Sequence, residues 1–478
     1  MIPLLALKRN KNHLSSKQTV KSSKLARPKW GSYGAFVLAA IGSSVGLGNI
    51  WKFPYELGAH GGGTFLLVYI PCVLLVAFPL VMAELMIGRM GQSNPVQGIR
   101  NIVQRERLSG LWQSIGWLGM LTSFLIFSYY SVVASWILFY IMKSLSGAFV
   151  NMPAEIVQHS FGALLRNTDQ LLIWHTVFVL MVVVVLSQDV RHGLERAVRL
   201  LMPLFLTFLI GLCIYASKVG DFDRALEFIF TYDVNAINAE MIVSALTQAL
   251  FSLGIGIGIL IMYGSYLSES RPLFTGAAAI MVFDTAIALI MALIIFSIVF
   301  AFDMSPDSGP GLIFETLPVA FAQIEDSGAL WSASFFIFLL VAALTSGFAL
   351  LEPFIAWLVD RFSMPRRVAA WLAGALAWLS GVVSVYSFSD LRFSFFYFGE
   401  ERLNGYFDFL NILTTHILMP FTALLISLFA GWRLSRTESK EALNVGLQIA
   451  YKVWRFCTKV VAPLIIATVL IIVLFYPA

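Results

Sequence analysis

Charge is what this sequence has least of. Only 12% of its 478 residues are Asp, Glu, Lys or Arg, about half the roughly 25% of a soluble globular chain. With 59% hydrophobic residues and a mean hydropathy of +0.82, it suits a solvent that rejects charge. Cysteine is scarce too. Cys72, Cys213 and Cys457 are the only three; they lie in or beside apolar segments without metal-ligand spacing, so no disulfide is expected. The net charge of +5 is small and localised, which argues against nucleic-acid binding.

Acidic residues are missing altogether from the first 29 positions, which carry eight Lys/Arg. A signal peptide would place a hydrophobic run and a small-residue cleavage site soon after a short basic start. Here the long basic tail leads directly into an apolar stretch. Residues 1–29 therefore read as a retained cytoplasmic arm of solvated, topogenic charge rather than a nucleic-acid or headgroup binder.

Long apolar runs are what the chain does have. A bilayer core about 30 Å thick needs about 20 mostly apolar residues per helix. Eleven stretches qualify, at 31–58, 64–88, 109–142, 171–188, 198–217, 240–267, 273–302, 328–359, 368–387, 407–431 and 458–476, the last being the weakest assignment. Only helices and closed barrels span lipid, and these runs lack the two-residue alternation of barrel strands. The expected fold is all-α and polytopic. Arg89, Arg100, Arg105, Arg107, Arg191, Arg196, Arg199, Arg361, Arg366 and Arg367 fall on the same side as the basic arm. Positive charge marks the cytoplasmic side, which puts the N-terminus inside and the C-terminus outside.

Two spans carry sequence that a plain lipid-crossing helix avoids. The first reads GSSVGLGN at 42–49 and the sixth SLGIGIG at 252–258. Each mid-helix Gly costs about 0.5–1 kcal/mol relative to Ala, so local unwinding at membrane depth is one reading. Close packing through small residues is the other. The first and sixth spans are corresponding members of two five-helix halves, which an odd span number makes inverted. Paired interruptions at corresponding positions point to a transporter binding site.

These residues resemble the neurotransmitter:sodium symporter family, itself a standard illustration of sites built from broken helices. The likeness runs from about Arg27 to Gly431. GSSVGLGNIWKFPY and HGGG, between Trp30 and Gly63, are its most specific blocks; YGSY at 263–266 and LTSG at 344–347 support it. It implies a LeuT-like 5+5 inverted repeat, with halves at 30–217 and 238–433 and a linker and eleventh helix at 434–478. The implied activity is sodium-coupled amino-acid symport across the cytoplasmic membrane by alternating access.

The resemblance implies two Na⁺ sites. One would use backbone oxygens at Gly42, Val45 and Ala342 with the hydroxyls of Thr345 and Ser346, an oxygen set suited to a hard cation. Taken alone, Thr345 and Ser346 would as readily bond back onto their own helix. The other site maps to Ser44, Asn49, Ser252 and Asp284. The best-studied bacterial member has Thr at the Ser252 position and Asn at Asp284. Asp284 is the only charge in about thirty residues of the seventh span, and an intramembrane carboxylate defaults to a functional hypothesis. Tyr69, Gln248 and Ser252 match the surroundings of the chloride that animal members require. Asp284 is thus expected to replace chloride, with a proton returning on it once Na⁺ has left.

The implied substrate pocket comprises Ser44, Gly46, Leu47, Gly48, Ile126, Tyr130, Phe251, Ser252, Gly254, Ile257, Ser346 and Leu350. Gly46 stands where monoamine carriers place Asp, so the substrate should bring its own carboxylate, to which Tyr130 would donate. Gly254 and Ile257 replace larger or more polar residues, suggesting room for a bulkier side chain. The outer gate maps to Lys52 and Asp408, and the inner gate to Arg27 and Asp360 with Trp30, Ser265 and Tyr266 nearby. Glu84 is expected to be a hydrogen-bonded structural carboxylate. Gly193 and Pro203 fit either a helix that unwinds to admit water or a helix start and a kink. A membrane sensor would need no cytoplasmic gate. An intramembrane enzyme would need a metal cluster or a Ser-His constellation, and His60 and His416 lack candidate partners in the sequence.

Overall fold

Several helices start where a polar side chain holds backbone N–H groups that a first turn leaves unpaired. Ser32 accepts from the N–H of Ala35 at the head of the first span, Asn94 from Gln97, and Asn167 from Gln170. The computed structural model describes residues 29–149, 152–268, 272–306, 311–323, 327–389, 391–397, 400–443 and 448–475. The basic arm up to residue 28, including Arg27, lies outside the described residues.

Among these residues nine helices are long and apolar enough to cross a bilayer: Gly63–Gly91, Gly110–Leu145, Thr168–Leu186, Arg191–Val219, Leu273–Ala301, Gly328–Phe362, Arg366–Tyr386, Gly405–Arg433 and Gln448–Phe475. A tenth crossing is the bent pair Tyr33–Ser44 and Gly48–Ala59. The sixth of the expected spans is two short helices, Ala239–Ser252 and Ile259–Ser265. The eleventh span is present and starts about ten residues earlier than its apolar run suggests. The three cysteines are free thiols.

The third and eighth spans, Gly110–Leu145 and Gly328–Phe362, form the centre, with 83% of their apolar windows buried. The fifth, at 28%, and the eleventh, at 33%, leave most of theirs exposed for lipid. Several spans contain wide five- or six-residue π-turns: Val73–Ala77 just after Pro71, Arg191–Glu195, Leu413–Leu418 and Cys457–Val461. Pro71 supplies no backbone N–H, so the ladder must adjust locally. One feature departs from the all-α expectation: strands Phe395–Tyr397 and Glu400–Arg402 pair antiparallel in the segment between the ninth and tenth spans.

Candidate functional site

The first span stops at Ser44, where Val45 turns extended (φ −76°, ψ 93°). It resumes as a wide turn at Gly48–Lys52, bent by 49° from the first half. The sixth span breaks over more residues. Gly254, Gly256 and Gly258 take left-handed φ values of 64°, 82° and 76°, which a side chain would strain. A Cβ on Gly256 would also lie 2.4 Å from the Met419 carbonyl oxygen. The glycine run therefore both unwinds and packs closely. Its freed Gly256 N–H donates to Glu84 Oε1 at 2.7 Å, so the buried Glu84 pins the break as a structural carboxylate.

The two breaks face each other through one polar cluster. Asn49 Nδ2 donates to Asp284 Oδ1 at 2.8 Å, to the Asp284 carbonyl at 3.1 Å and to Ser252 Oγ at 3.0 Å. Ser252 in turn donates to Asp284 Oδ2 at 2.7 Å. Gln248 Nε2 reaches the Gly48 carbonyl at 2.9 Å, tying the sixth span to the first beside the cluster. Among the described residues, the Tyr69 hydroxyl and Gln248 Oε1 are buried without a hydrogen-bond partner. Ser44 Oγ bonds back to the Ile41 carbonyl at 3.0 Å. Asp284 is fully buried, with no basic partner among these bonds.

A second set of oxygens gathers where the first span meets the eighth. Thr345 Oγ1 donates to the Ala342 carbonyl at 3.0 Å, and Ser346 Oγ to the Ser43 carbonyl at 3.4 Å. Thr345 does bond back onto its own helix, while Ser346 crosses to the break. A Cβ on Gly42 would sit 3.4 Å from Thr345 Cβ, so Gly42, Val45, Ala342, Thr345 and Ser346 share one neighbourhood. Met202 Sδ closes it, 2.9 Å from that Cβ position. The fifth span itself stays helical, with a π-turn at Gly193 and Pro203 inside the helix. Helical geometry runs through both positions.

Between the two sets lies a lining of small and aromatic groups. A Cβ on Gly46 would be 2.4 Å from Ser346 Oγ and 3.6 Å from the Tyr130 hydroxyl; one on Gly48 would touch the Phe251 ring at 3.0 Å. Tyr130, whose hydroxyl reaches the Ala343 carbonyl at 3.4 Å, is one helical turn from the buried Ile126. Leu350 is one turn from Ser346, and its carbonyl accepts from Ser123. Gly254 lies against Ile257.

Not every expected partner pair is joined. Lys52 rests over the Phe251 ring, 5.1 Å from its centroid. Asp408 accepts from the Asn404 backbone N–H at 3.0 Å, within its own helix start. The described contacts thus do not bring Lys52 and Asp408 together: the ammonium finds an aromatic face, and the carboxylate a helix N-terminus.

The inner end is tied more densely. Trp30 Nε1 donates to the Tyr263 carbonyl at 3.2 Å, and its backbone N–H to the Tyr266 carbonyl at 3.3 Å. The Tyr266 hydroxyl donates to Glu352 Oε1 at 2.7 Å. Arg366 grips the same carboxylate through two nitrogens, at 2.9 and 2.6 Å, and also donates to the Leu186 and Gln188 carbonyls. Asp360 accepts from Asn94 Nδ2 at 2.7 Å.

A model described as the sodium:neurotransmitter symporter family matches residues 27–163 and 158–477. The chain belongs to that family. It is a multi-pass membrane transporter, not an enzyme. An uncharacterised sodium-dependent transporter of Bacillus subtilis, YhdH, is 32% identical over 92% of this chain and 96% of its own length. Another from Haemophilus influenzae is 30% identical, covering 94% and 98%. The crystal structure of MhsT in complex with L-phenylalanine superposes with a TM-score of 0.84 at 35% identity, covering 93% of this chain and 99% of that one.

Among symporter residues, the sequence singled out Asp360 but not Asn94, and gave Arg366 only a topogenic role. The one signal for the Glu352–Arg366 pair was a carboxylate, Glu352, within the apolar run of the eighth span, followed by a basic start to the ninth. The gap of 14 residues spans a loop, so no helical spacing joined them.

Proposed function

We propose that this symporter couples inward Na⁺ movement to uptake of an amino acid with a bulky apolar side chain, without chloride. The observation that carries this reading is the Asn49–Ser252–Asp284 cluster lodged between the two breaks. It offers a fixed negative charge and oxygen ligands beside a pocket with no acidic group at Gly46. One Na⁺ would join Ser44, Asn49, Ser252 and Asp284; a second would join Gly42, Val45, Ala342, Thr345 and Ser346. Such ligand sets suit a hard cation. The substrate carboxylate would meet the first Na⁺ and the Tyr130 hydroxyl, and the L-phenylalanine bound to MhsT supports a large apolar side chain. We assign the N-terminus to the cytoplasm on the basic loops, the C-terminus to the outside, and the two inverted halves to 30–217 and 238–433.

Charge balance extends the reading. A carboxylate left without a cation in a low-dielectric site is costly, so a proton takes the place of departing Na⁺. Proteoliposomes with an imposed Na⁺ gradient test all of this. Accumulation should require Na⁺ and persist in chloride-free buffer. Asp284→Asn should impair uptake without chloride and recover in part when Cl⁻ is restored. Undiminished uptake with choline in place of Na⁺ would remove the sodium assignment, and strong wild-type chloride dependence would return Asp284 to a structural role. The buried carboxylate also suits a second reading, proton-coupled symport, which requires uptake driven by a pH gradient alone.

A further inference from the structure

A concave site lies outside all of this machinery, at the head of the eleventh span. The short helix Arg436–Leu443 and the opening turns of Gln448–Phe475 enclose a cavity of about 880 Å³. Arg436, Lys440, Lys452, Arg455 and Lys459 line it, against the single carboxylate of Glu441. Glu438, on the same short helix, is engaged elsewhere by Arg105 at 3.1 Å. Three hydrogen-bonded contacts fix the walls: Ser439 Oγ lies 2.8 Å from the Tyr451 hydroxyl, and Arg455 donates to Ser439 Oγ and the Leu434 carbonyl, each at 3.1 Å.

The cavity has an apolar side as well. Lys452, Phe456, Lys459 and Val460 recur at helical spacing along one face, and Phe456 and Val460 are exposed. About 20 helical residues cross the hydrocarbon core. Counting back from Phe475 reaches the neighbourhood of Phe456, so the cations sit at headgroup depth and the two apolar side chains at the edge of the core. Trp432 marks the same level, as interfacial tryptophans do. It is exposed, donates to the Lys459 carbonyl at 2.9 Å, and has the Lys459 ammonium 4.5 Å from its ring centroid.

We propose that this cavity binds the headgroup of an anionic phospholipid, with the phosphodiester among Lys440, Lys452 and Lys459 and an acyl chain along Phe456 and Val460. Five cations lining one cavity repel one another, and the repulsion grows where water is partly excluded. Basic pockets at a membrane face take anionic headgroups for this reason. A soluble anion would satisfy the lysines but make no use of Phe456 and Val460; a lipid engages both.

The test uses full-length protein in detergent, titrated separately with dihexanoyl phosphatidylglycerol, dihexanoyl phosphatidylcholine and inorganic phosphate. Native mass spectrometry reads bound molecules, and thermal melting reads stability. Phosphatidylglycerol should bind at least tenfold more tightly than phosphatidylcholine and raise the melting temperature. Lys440→Gln with Lys452→Gln should weaken it about tenfold, Lys440→Arg with Lys452→Arg should restore it, and Na⁺-dependent substrate binding should stay unchanged in both. Should the Gln pair fail to fold, each single Gln variant must still lose two- to threefold. Equal affinity for phosphatidylcholine, or no response to the Gln variants, overturns the proposal. Inorganic phosphate binding as tightly as phosphatidylglycerol overturns it in favour of a soluble anion.

Discussion

At the Trp30 end of the first span a guanidinium and a carboxylate meet through two hydrogen bonds, and a tyrosine joins them. At the Lys52 end an ammonium rests on a phenyl face, and Asp408 caps its own helix instead. The difference is one of direction. Arg presents a rigid fork that a carboxylate fills in one geometry, whereas Lys is a point charge on a flexible stem. Glu352 is fully buried and Arg366 only 18% exposed. Losing one partner of such a pair strands a buried charge, costing about 3–5 kcal/mol. A cation over an aromatic ring is worth about 0.5–2 kcal/mol. The inner end is therefore held in one geometry, while the outer end can slide.

Arg366→Ala should break the contrast outright. With Glu352 left unpaired, the inner end should open; alkylation of a cysteine placed at the buried Ser265 should rise at least tenfold, and uptake should collapse. Unchanged labelling would show that the pair does not hold the inner end shut. Tyr266→Phe should sharpen the comparison at intermediate size. It removes one hydrogen bond to a charged acceptor, roughly 1.5–3 kcal/mol, but leaves the Arg366 fork in place. Labelling should rise less than in Arg366→Ala, and an equal rise would mean that the tyrosine is the main lock.

Lys52→Arg tests the opposite end. An added fork could reach Asp408, yet a partly exposed ion pair is worth only about 0–1 kcal/mol. Uptake should stay within a fewfold of wild type, with slower labelling from the outside. Complete loss of uptake would mean that the ammonium does more than rest on Phe251.

The smallest effect concerns the loop after the second span, on the face shared with the inner end. There the Glu438 carboxylate pushes the Glu106 carboxyl from its ordinary 4.5 up to about 7. A raised folded value means stability present below about 4.5 and lost as pH climbs through about 7. Melting temperatures measured from pH 5 to 8 should therefore fall more in wild type than in Glu106→Gln. Parallel curves would show that the two carboxylates do not interact.

The same contrast separates what the sequence discloses from what it hides. Both breaks are written locally, as glycines clustered within a few residues, and Asp284 announces itself as a lone charge in an apolar span. The inner lock is written in distant places, because Tyr266, Glu352 and Arg366 meet only once three spans have packed. The outer pair shows the same limit in reverse. Lys52 and Asp408 have complementary charges, but how the ends of their helices face one another decides whether they meet, and periodicity does not encode that. The basic cavity also escaped: its cations come from two separate helices and converge only in the folded chain.

The wide turn at Val73–Ala77 lies between the start of the second span and Glu84, whose carboxylate holds the Gly256 N–H. Such a turn holds one residue more than an α-turn, since its bonds run to the fifth residue rather than the fourth. Deleting a single residue inside it should take up that extra residue and leave Glu84 close to its present direction, even with Pro71 still bending the ladder. The same deletion a turn further on, in plain α-helix at 3.6 residues per turn, swings Glu84 through about 100° and away from Gly256. Between the start of this span and Glu84, a lost residue should therefore be tolerated best inside the wide turn.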